Sequence, residues 1–361
     1  MTPVRAEALI DLDALRGNVK LLAERAGNAE LMTVVKADGY GHGAVEVSRA
    51  ALEAGTTKLG VSSLDEALSL RAAGIRAPIL CWLDVEGTDF VAAQEKDIEV
   101  SVSSLTQLAA IPRGTKIHLK IDTGLSRSGC PRELWPEFVA AAAKSGLEVV
   151  AIWSHLACAD EPGHPSTAMQ HRRFDEAYEI ARQAGLDPKR HLANSAATLS
   201  LPELHYDMVR AGIATYGLNP LPQKENLVPV MTFRSSVVLT KRIAAGESVS
   251  YGHTWTAAQD TTLALVPVGY ADGVPRLLSG RMSLWLNGKR YPNVGRVCMD
   301  QLVVDCGDDA VRVGDEVVLF GNGNEGEATA TEWANTIGTI DYEIVTGMYR
   351  PRVRRRYVGE R

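Results

Sequence analysis

The sequence predicts an α/β fold, a (β/α)8 barrel of the TIM type, followed by an all-β part. Three observations predict it. Short apolar runs rich in β-formers alternate with stretches of helical periodicity through the first part of the chain, the pattern of parallel strands joined by crossover helices. Beyond about Leu227 the texture changes to Val, Thr and Leu runs broken by Gly, Asn and Asp. The length of 361 residues also exceeds what one ordinary core supports, so a barrel-sized domain with a smaller companion is expected.

Strand candidates recur at 31–36, 58–62, 78–83, 98–102, 116–121, 149–154, 191–194 and 208–213. Helical stretches such as 13–23 and 44–54 lie between them, with Gly at or near their ends. Eight strands so spaced make a barrel of about 220 residues, within the usual size for that fold. In the second part, 233–239, 262–268, 282–286 and 316–320 read as strands, and Asn287-Gly288 is a two-residue hairpin signal. The expected division is a barrel over 1–227 and a β domain over 228–361, with the first residues packing on the β domain.

Composition excludes several classes. Apolar residues at 45% and charged residues at 23% are the balance of a globular protein. A net charge of −6, with the acidic groups spread out, argues against a nucleic-acid surface, which needs clustered Lys and Arg. Only the tail, with Arg352, Arg354, Arg355 and Arg356, is basic, and such a run reads as a solvated face or a strand edge. No segment reaches the roughly 18 apolar residues of a membrane helix, and the N-terminus lacks the apolar stretch of a signal peptide, so a cytoplasmic protein is expected. Five cysteines, odd in number and without Cys-x-x-Cys spacing, suggest neither a disulfide framework nor a zinc site. His42 and His155 are too few and too separated for a metal site.

In a TIM barrel the active site lies at the C-terminal ends of the strands, so polar residues there form one constellation despite their separation in sequence. Lys36 ends the first strand behind Val34-Val35, where low dielectric lowers a lysine's pKa and frees its amine as a nucleophile. On position alone a surface lysine closing a strand is the commoner case. Gly39, Gly41 and Gly43, interleaved with Tyr40 and His42, tip the balance, because they permit close backbone approach and a Tyr hydroxyl can donate to a phosphate.

The fifth strand leads into a glycine-hinged loop presenting Arg127, which can grip a carboxylate. The sixth ends at Ser154-His155. The seventh runs into Asn194-Ser195, where a Ser beginning a helix is both a good cap and a phosphate ligand. The eighth carries Arg210 inside an apolar run, followed by Gly212, whose N–H can meet a phosphate; a buried Arg needs a partner. An imine-forming Lys, phosphate donors and an Arg for a ring nitrogen are what pyridoxal phosphate (PLP) requires of its protein, and no nucleotide-binding fingerprint competes.

The segment Val35-Lys36-Ala37-Asp38-Gly39-Tyr40-Gly41-His42-Gly43 resembles the PLP-lysine motif of alanine racemases. The resemblance covers nearly the whole chain. It continues through Lys120 to Gly129, Ser154-His155, Asn194-Ser195, Arg210 to Gly217, Ser250-Tyr251-Gly252, Gly269-Tyr270-Ala271-Asp272-Gly273 and Met299-Asp300. It implies a PLP-binding barrel with a β domain, paired head to tail as a homodimer with shared active sites, racemising alanine to supply D-alanine for peptidoglycan.

The resemblance also implies roles. Lys36 holds PLP as a Schiff base and acts on the proton of the D isomer. Tyr251 of the partner subunit acts on that of the L isomer, helped by His155 and Arg210. The phosphate falls to Tyr40, Ser195, Gly212, Ile213 and Tyr342, with Asn194 beside them. The substrate carboxylate meets Arg127 and the backbone N–H of Met299 from the other subunit, while Tyr270 and Tyr342 narrow the entry. Lys120 matches a lysine that is carbamylated in many members.

Racemisation needs a base on each face of the α-carbon, so this assignment has a chemical rationale. An arginine stays protonated and only donates to the pyridine nitrogen, which weakens the electron sink and suppresses transamination. Three rivals share parts of the machinery. A broader racemase acting on serine or larger side chains is often exported. A decarboxylase of basic amino acids would need acidic groups for a distal amine. A PLP-binding regulatory protein would be a barrel alone.

Overall fold

The computed structural model describes residues 3–359. The chain divides into two compact units: one comprises Leu15–Gly39 and Ala44–Leu227, the other Met1–Ala14, Tyr40–Gly43 and Val228–Arg361.

The first unit is built on eight parallel strands: Glu30–Val34, Lys58–Val61, Ile79–Cys81, Ile98–Val102, Lys116–Lys120, Glu148–Trp153, Lys189–His191 and Met208–Ala211. The first strand pairs on one side with the second and on the other with the eighth. The seventh and eighth approach without a ladder, through the bond from Arg210 N–H to Ala193 O at 3.0 Å. This is the expected TIM-type barrel. Helices such as Ala44–Glu53, Leu64–Ala72, Trp135–Lys144 and Pro165–Gln183 form the crossovers. Ser63 and Ser104 cap two of the helices by accepting from Glu66 N–H and Gln107 N–H, each satisfying one of the donors a helix start leaves orphaned.

Strand residues alternate between faces. In Lys116–Lys120 the apolar Ile117 and Leu119 occupy one face. His118 on the other reaches His191 and Glu99, and Lys120 reaches Trp153, all on other strands, so the barrel interior carries polar groups.

The second unit centres on a nine-stranded sheet. Its middle strands, Ser283–Leu286, Lys289–Val294, Glu316–Phe320 and Met231–Ser236, are antiparallel neighbours. The first of these pairs is joined by Asn287 and Gly288, both at positive φ (48° and 82°), the turn that matches strand twist. The N-terminal strand Glu7–Asp11 pairs antiparallel with Met231–Ser236 and parallel with Arg354–Val358. The basic tail is therefore a strand at the sheet edge, where charged side chains block further pairing. Glu7, almost fully buried, accepts from Arg234 Nε at 2.9 Å and Nη2 at 2.6 Å, which satisfies a carboxylate that could not be buried unpaired. A separate two-stranded hairpin, Ser248–Val249 against Trp255–Thr256, and two helices, Ala330–Ile337 and Asp341–Gly347, complete the unit. Among the described residues no helix is long and apolar enough to cross a membrane.

Candidate active site

Lys36 stands two residues beyond the end of the first barrel strand, where the chain turns left-handed. Ala37, Asp38 and Gly39 have φ of 51°, 51° and 62°. L-residues pay roughly 1–2 kcal/mol each for this conformation, so it persists only where the surroundings enforce it. They do. Gly39 N–H donates to Val35 O at 2.8 Å, Ala44 N–H to Asp38 Oδ1 at 2.9 Å and Ala37 N–H to Glu66 Oε1 at 2.7 Å. Glu66 is fixed in turn by Ser62, whose N–H and hydroxyl both donate to its other oxygen at 2.8 Å. Burial, and then the positive charge of Arg127, lowers the pKa of the Lys36 ammonium, against a smaller opposing pull from Glu66. The amine is thereby readied as a nucleophile.

Arg127 lies exposed in the loop after the fifth strand. The loop is closed at its base by Asp122 N–H to Cys130 O (3.0 Å) and Cys130 N–H to Lys120 O (2.7 Å). Gly129, at φ +115°, admits no side chain: a Cβ would sit 2.6 Å from Asp122 N. Lys120 is buried, its Nζ 4.2 Å from the centre of the Trp153 ring and donating to Ser128 Oγ at 2.6 Å. Burial first, then the charges of Arg210 and Arg127, pushes its pKa down to about 8.

Arg210 is buried in the eighth strand and, among the described residues, has no carboxylate in direct contact. Its Nη1 donates to His191 O (2.9 Å) and His191 Nδ1 (3.2 Å). Its Nη2 donates to Ser154 O (2.8 Å), Leu192 O (3.1 Å) and His155 Nδ1 (3.2 Å). The guanidinium lies 4.9 Å from the Trp153 ring centre, which supplies a cation–π contact. Burial lowers its pKa to about 9, still above neutrality. His155 is held neutral by burial and then by the charges of Arg210, Arg127, Lys120 and Lys36. Because a guanidinium only donates, His155 Nδ1 must accept, and the neutral ring carries its proton on Nε2.

Ser195 opens the helix Ser195–Ser200, but the cap is Asn194, whose side chain accepts from Ala197 N–H at 3.1 Å. The expectation that Ser195 caps is corrected: its Oγ accepts from Gly212 N–H at 2.8 Å and Ala214 N–H at 3.3 Å, beside the buried Ile213. A hydroxyl and backbone amides thus meet next to a helix start, where an anion is favoured.

In the second unit Tyr251 sits in the connection of the two-stranded hairpin, follows Ser250 at φ +64°, and is 72% exposed. Tyr270 and Met299 lie on adjoining segments joined by Tyr270 N–H to Cys298 O (3.0 Å) and Ala271 N–H to Met299 O (2.9 Å). Gly269 makes this approach possible, since a Cβ there would come within 2.1 Å of Cys298 O. Asp272, fully buried, accepts from Gly269 N–H at 3.0 Å and from Arg5 Nη2 at 2.9 and 3.0 Å. Tyr342 opens its helix just after Asp341 and lies 6.0 Å, ring to ring, from Tyr40. Burial, and then Tyr342, raises the Tyr40 pKa, so its hydroxyl stays a donor.

The structure thus brings Lys36, Lys120, Arg127, His155, Asn194, Ser195, Arg210, Gly212 and Ile213 into one unit. Tyr40, Tyr251, Tyr270, Met299 and Tyr342 belong to the other. Glu66 and Gln170 are among the residues that sequence reasoning passed over. Glu66 pins the Lys36 turn, and fully buried Gln170 donates both to Thr123 Oγ1 (3.1 Å) and to His155 O (2.9 Å), tying the Arg127 loop to the His155 backbone. The one clue to Gln170 was a polar residue on the inner face of an amphipathic helix.

Four basic groups around a neutral imidazole, two of them amines of lowered proton affinity, make a site for an anionic carbonyl compound. The donor set fits pyridoxal phosphate. Lys36 can bond its aldehyde carbon, Arg210 can donate to its ring, and Ser195 with the Gly212 and Ile213 amides can receive its phosphate.

Residues 10–220 match the alanine racemase N-terminal domain and residues 230–357 the alanine racemase C-terminal domain. An alanine racemase of Salinispora arenicola is 51% identical over 371 aligned residues, covering 99% of both chains. The solved alanine racemase of the D-cycloserine producer Streptomyces lavendulae superposes with a TM-score of 0.95 at 47% identity, covering 100% of this chain and 98% of that one. That of Bartonella henselae, solved with covalently bound pyridoxal phosphate, gives 0.90 at 27% identity over 99% of this chain and 100% of that one. The motifs, the barrel and full-length likeness to several members agree: this chain belongs to the alanine racemase family, whose enzymes depend on pyridoxal phosphate.

Proposed function

We infer that this protein interconverts L-alanine and D-alanine with pyridoxal phosphate, supplying D-alanine for peptidoglycan, and that Lys36 and Tyr251 are its two opposed bases. The observation that carries the reading is the Lys36 amine, lowered in proton affinity by burial and Arg127 and held on an enforced left-handed turn. When bound, pyridoxal phosphate supplies the aldehyde that holds the amino acid and the conjugated ring that takes up the electron pair left by the departing α-proton.

The protein's own groups do the rest. Lys36 Nζ takes the α-proton from the D isomer and returns one to form it. Tyr251, contributed by the partner subunit of a homodimer, does the same for the L isomer. A tyrosine with its ordinary pKa near 10 is a poor base at neutral pH. The Nε2–H of His155, oriented by Arg210, donates to the Tyr251 oxygen and favours its anion. Arg210 donates to the ring nitrogen without giving up a proton, which limits side reactions that need a protonated ring.

Arg127 and the Met299 N–H hold the substrate carboxylate, and Tyr270 with Tyr342 limits the side chain to a small one. Tyr40, Ser195, Gly212, Ile213 and Tyr342 hold the phosphate, with Asn194 fixing the helix start beside them. Lys120, an amine free at neutral pH to an unusual degree, is carbamylated and orients Arg127. The homodimer with shared sites works in the cytoplasm. Solvent-deuterium exchange at the α-carbon across a panel of amino acids tests the substrate: alanine should exchange fastest, and faster exchange of serine or a larger residue would displace it.

A further inference from the structure

The Arg210 hydrogen bonds do not end at His191. His191 Nε2 lies 2.8 Å from His118 Nδ1, His118 Nε2 lies 2.6 Å from Glu99 Oε2, and the same oxygen accepts from Lys58 Nζ at 2.5 Å. Both imidazoles are fully buried. Lys58 and Glu99 stand at the N-terminal ends of the second and fourth strands, on an open cavity of about 330 Å³ also lined by Glu30, Lys116, Glu148 and Lys189. A single chain of side chains therefore runs from that mouth to His155.

The two ends of the chain impose one direction on it. Arg210 can only donate, so His191 Nδ1 accepts and His191 donates through Nε2. His118 must then accept at Nδ1 and donate through Nε2, which is what the carboxylate of Glu99 requires. Burial keeps both rings neutral, His118 against the opposing pull of Glu99. The chain is not a proton conduit at neutral pH, because passage would require Arg210, whose pKa stays above neutrality, to lose a proton.

We propose that Glu99 is the counter-ion of Arg210, acting across His118 and His191 in fixed tautomers, and that Lys58 and Glu99 are positioning residues for the Arg210–His155 pair. The charged and titratable groups facing Glu99 are Lys58, His118, Lys116 and Arg71; those facing Arg210 are His155, His191, His118 and Lys120, over the ring of Trp153. A guanidinium buried among carbonyl oxygens gains from an anion at the far end of an aligned dipole chain, since such a path is little screened. The proposal rests on Arg210 serving the racemase site, but its first test does not depend on turnover.

In holoenzyme labelled with ¹⁵N-histidine, His118 and His191 should each show a protonated Nε2 and an unprotonated Nδ1 from about pH 6 to about pH 9, the range around ordinary imidazole titration. Either ring protonated at both nitrogens, or carrying its proton on Nδ1, overturns the chain. The second test compares Glu99→Gln with Glu30→Gln, a carboxylate at the same mouth outside the chain. Glu99→Gln should move the alkaline limb of kcat/KM down by about one pH unit, the order expected for one charge on a buried path. Glu30→Gln should leave it in place. Equal shifts in both variants, or none in Glu99→Gln, would overturn the proposal. Should Glu99→Gln fail to fold, the tautomers of the unaltered protein still decide it.

Discussion

Arg210 Nη2 donates to His155 Nδ1 at 3.2 Å, and this one contact sets which nitrogen of His155 faces outward. A lysine has a single donor group on a flexible stem and cannot hold His155 together with the carbonyls of Ser154, His191 and Leu192. Arg210→Lys should therefore lower kcat about a hundredfold, the usual loss when an oriented donor is removed, with a smaller change in KM. Steady-state racemisation in both directions measures this, and a change in KM alone would show that Arg210 acts only in binding.

Glu66 steadies the Lys36 turn through Ala37 N–H and raises the Lys36 pKa, opposing burial and Arg127. Glu66→Ala removes that pull, so the Lys36 amine should lose its proton at lower pH. In reconstitution of the cofactor-free protein, the acid limb of the rate of appearance of the Schiff-base absorption should move down in pH. A limb moved up would contradict the assignment of Glu66.

Lys120, with its pKa down at about 8, is neutral in roughly a fifth to a quarter of molecules at pH 7.5, against well under 1% for an ordinary lysine. Neutral amine is the form that takes up carbon dioxide. An electron-density map of crystals grown with bicarbonate should show a planar carboxyl group on Nζ, and a bare ammonium would reject the modification. The sign for stability follows. Unmodified Lys120 has a folded pKa below its unfolded one, so its destabilising contribution is present below pH 8 and is relieved as pH rises from about 8 to its ordinary value.

Buried Asp272 gathers Gly269 N–H, Arg5 and, at 3.4 Å, Arg352, whose Nη1 also reaches Asp300 Oδ1 at 2.6 Å. These bonds hold the adjoining segments that carry Tyr270 and Met299. Asp272→Asn should cost about 1–3 kcal/mol in denaturant unfolding, the scale for a lost charge-assisted bond with a half-exposed partner. Its KM for alanine should rise more than its kcat falls, because the segment positions rather than reacts.

Most barrel strands were legible because their Val, Ile and Leu runs are β-formers bounded by turn residues. The seventh was placed at 191–194 but forms at Lys189–His191, since its residues Lys189, Arg190 and His191 carry no apolar signal. The Lys36 motif was readable from its glycines. The left-handed φ of Ala37 and Asp38 was not, because only the bonds to Glu66 and Ala44 make that conformation tolerable. Ser195 read as both a cap and a phosphate ligand; Ser and Asn are equivalent as caps, and only geometry shows that Asn194 takes that role. The polar barrel interior was not read from the alternation Lys116, His118, Lys120, because its partners Glu99, His191 and Trp153 lie on other strands, and pairing across strands is set by register.

The central claim, two bases acting on opposite faces, is tested most directly by Tyr251→Phe. With the holoenzyme in deuterated water, the variant should lose α-proton removal from L-alanine by about a hundredfold or more relative to that from D-alanine, which Lys36 still performs. Equal loss from the two isomers would contradict the assignment of Tyr251 and Lys36 as opposed bases.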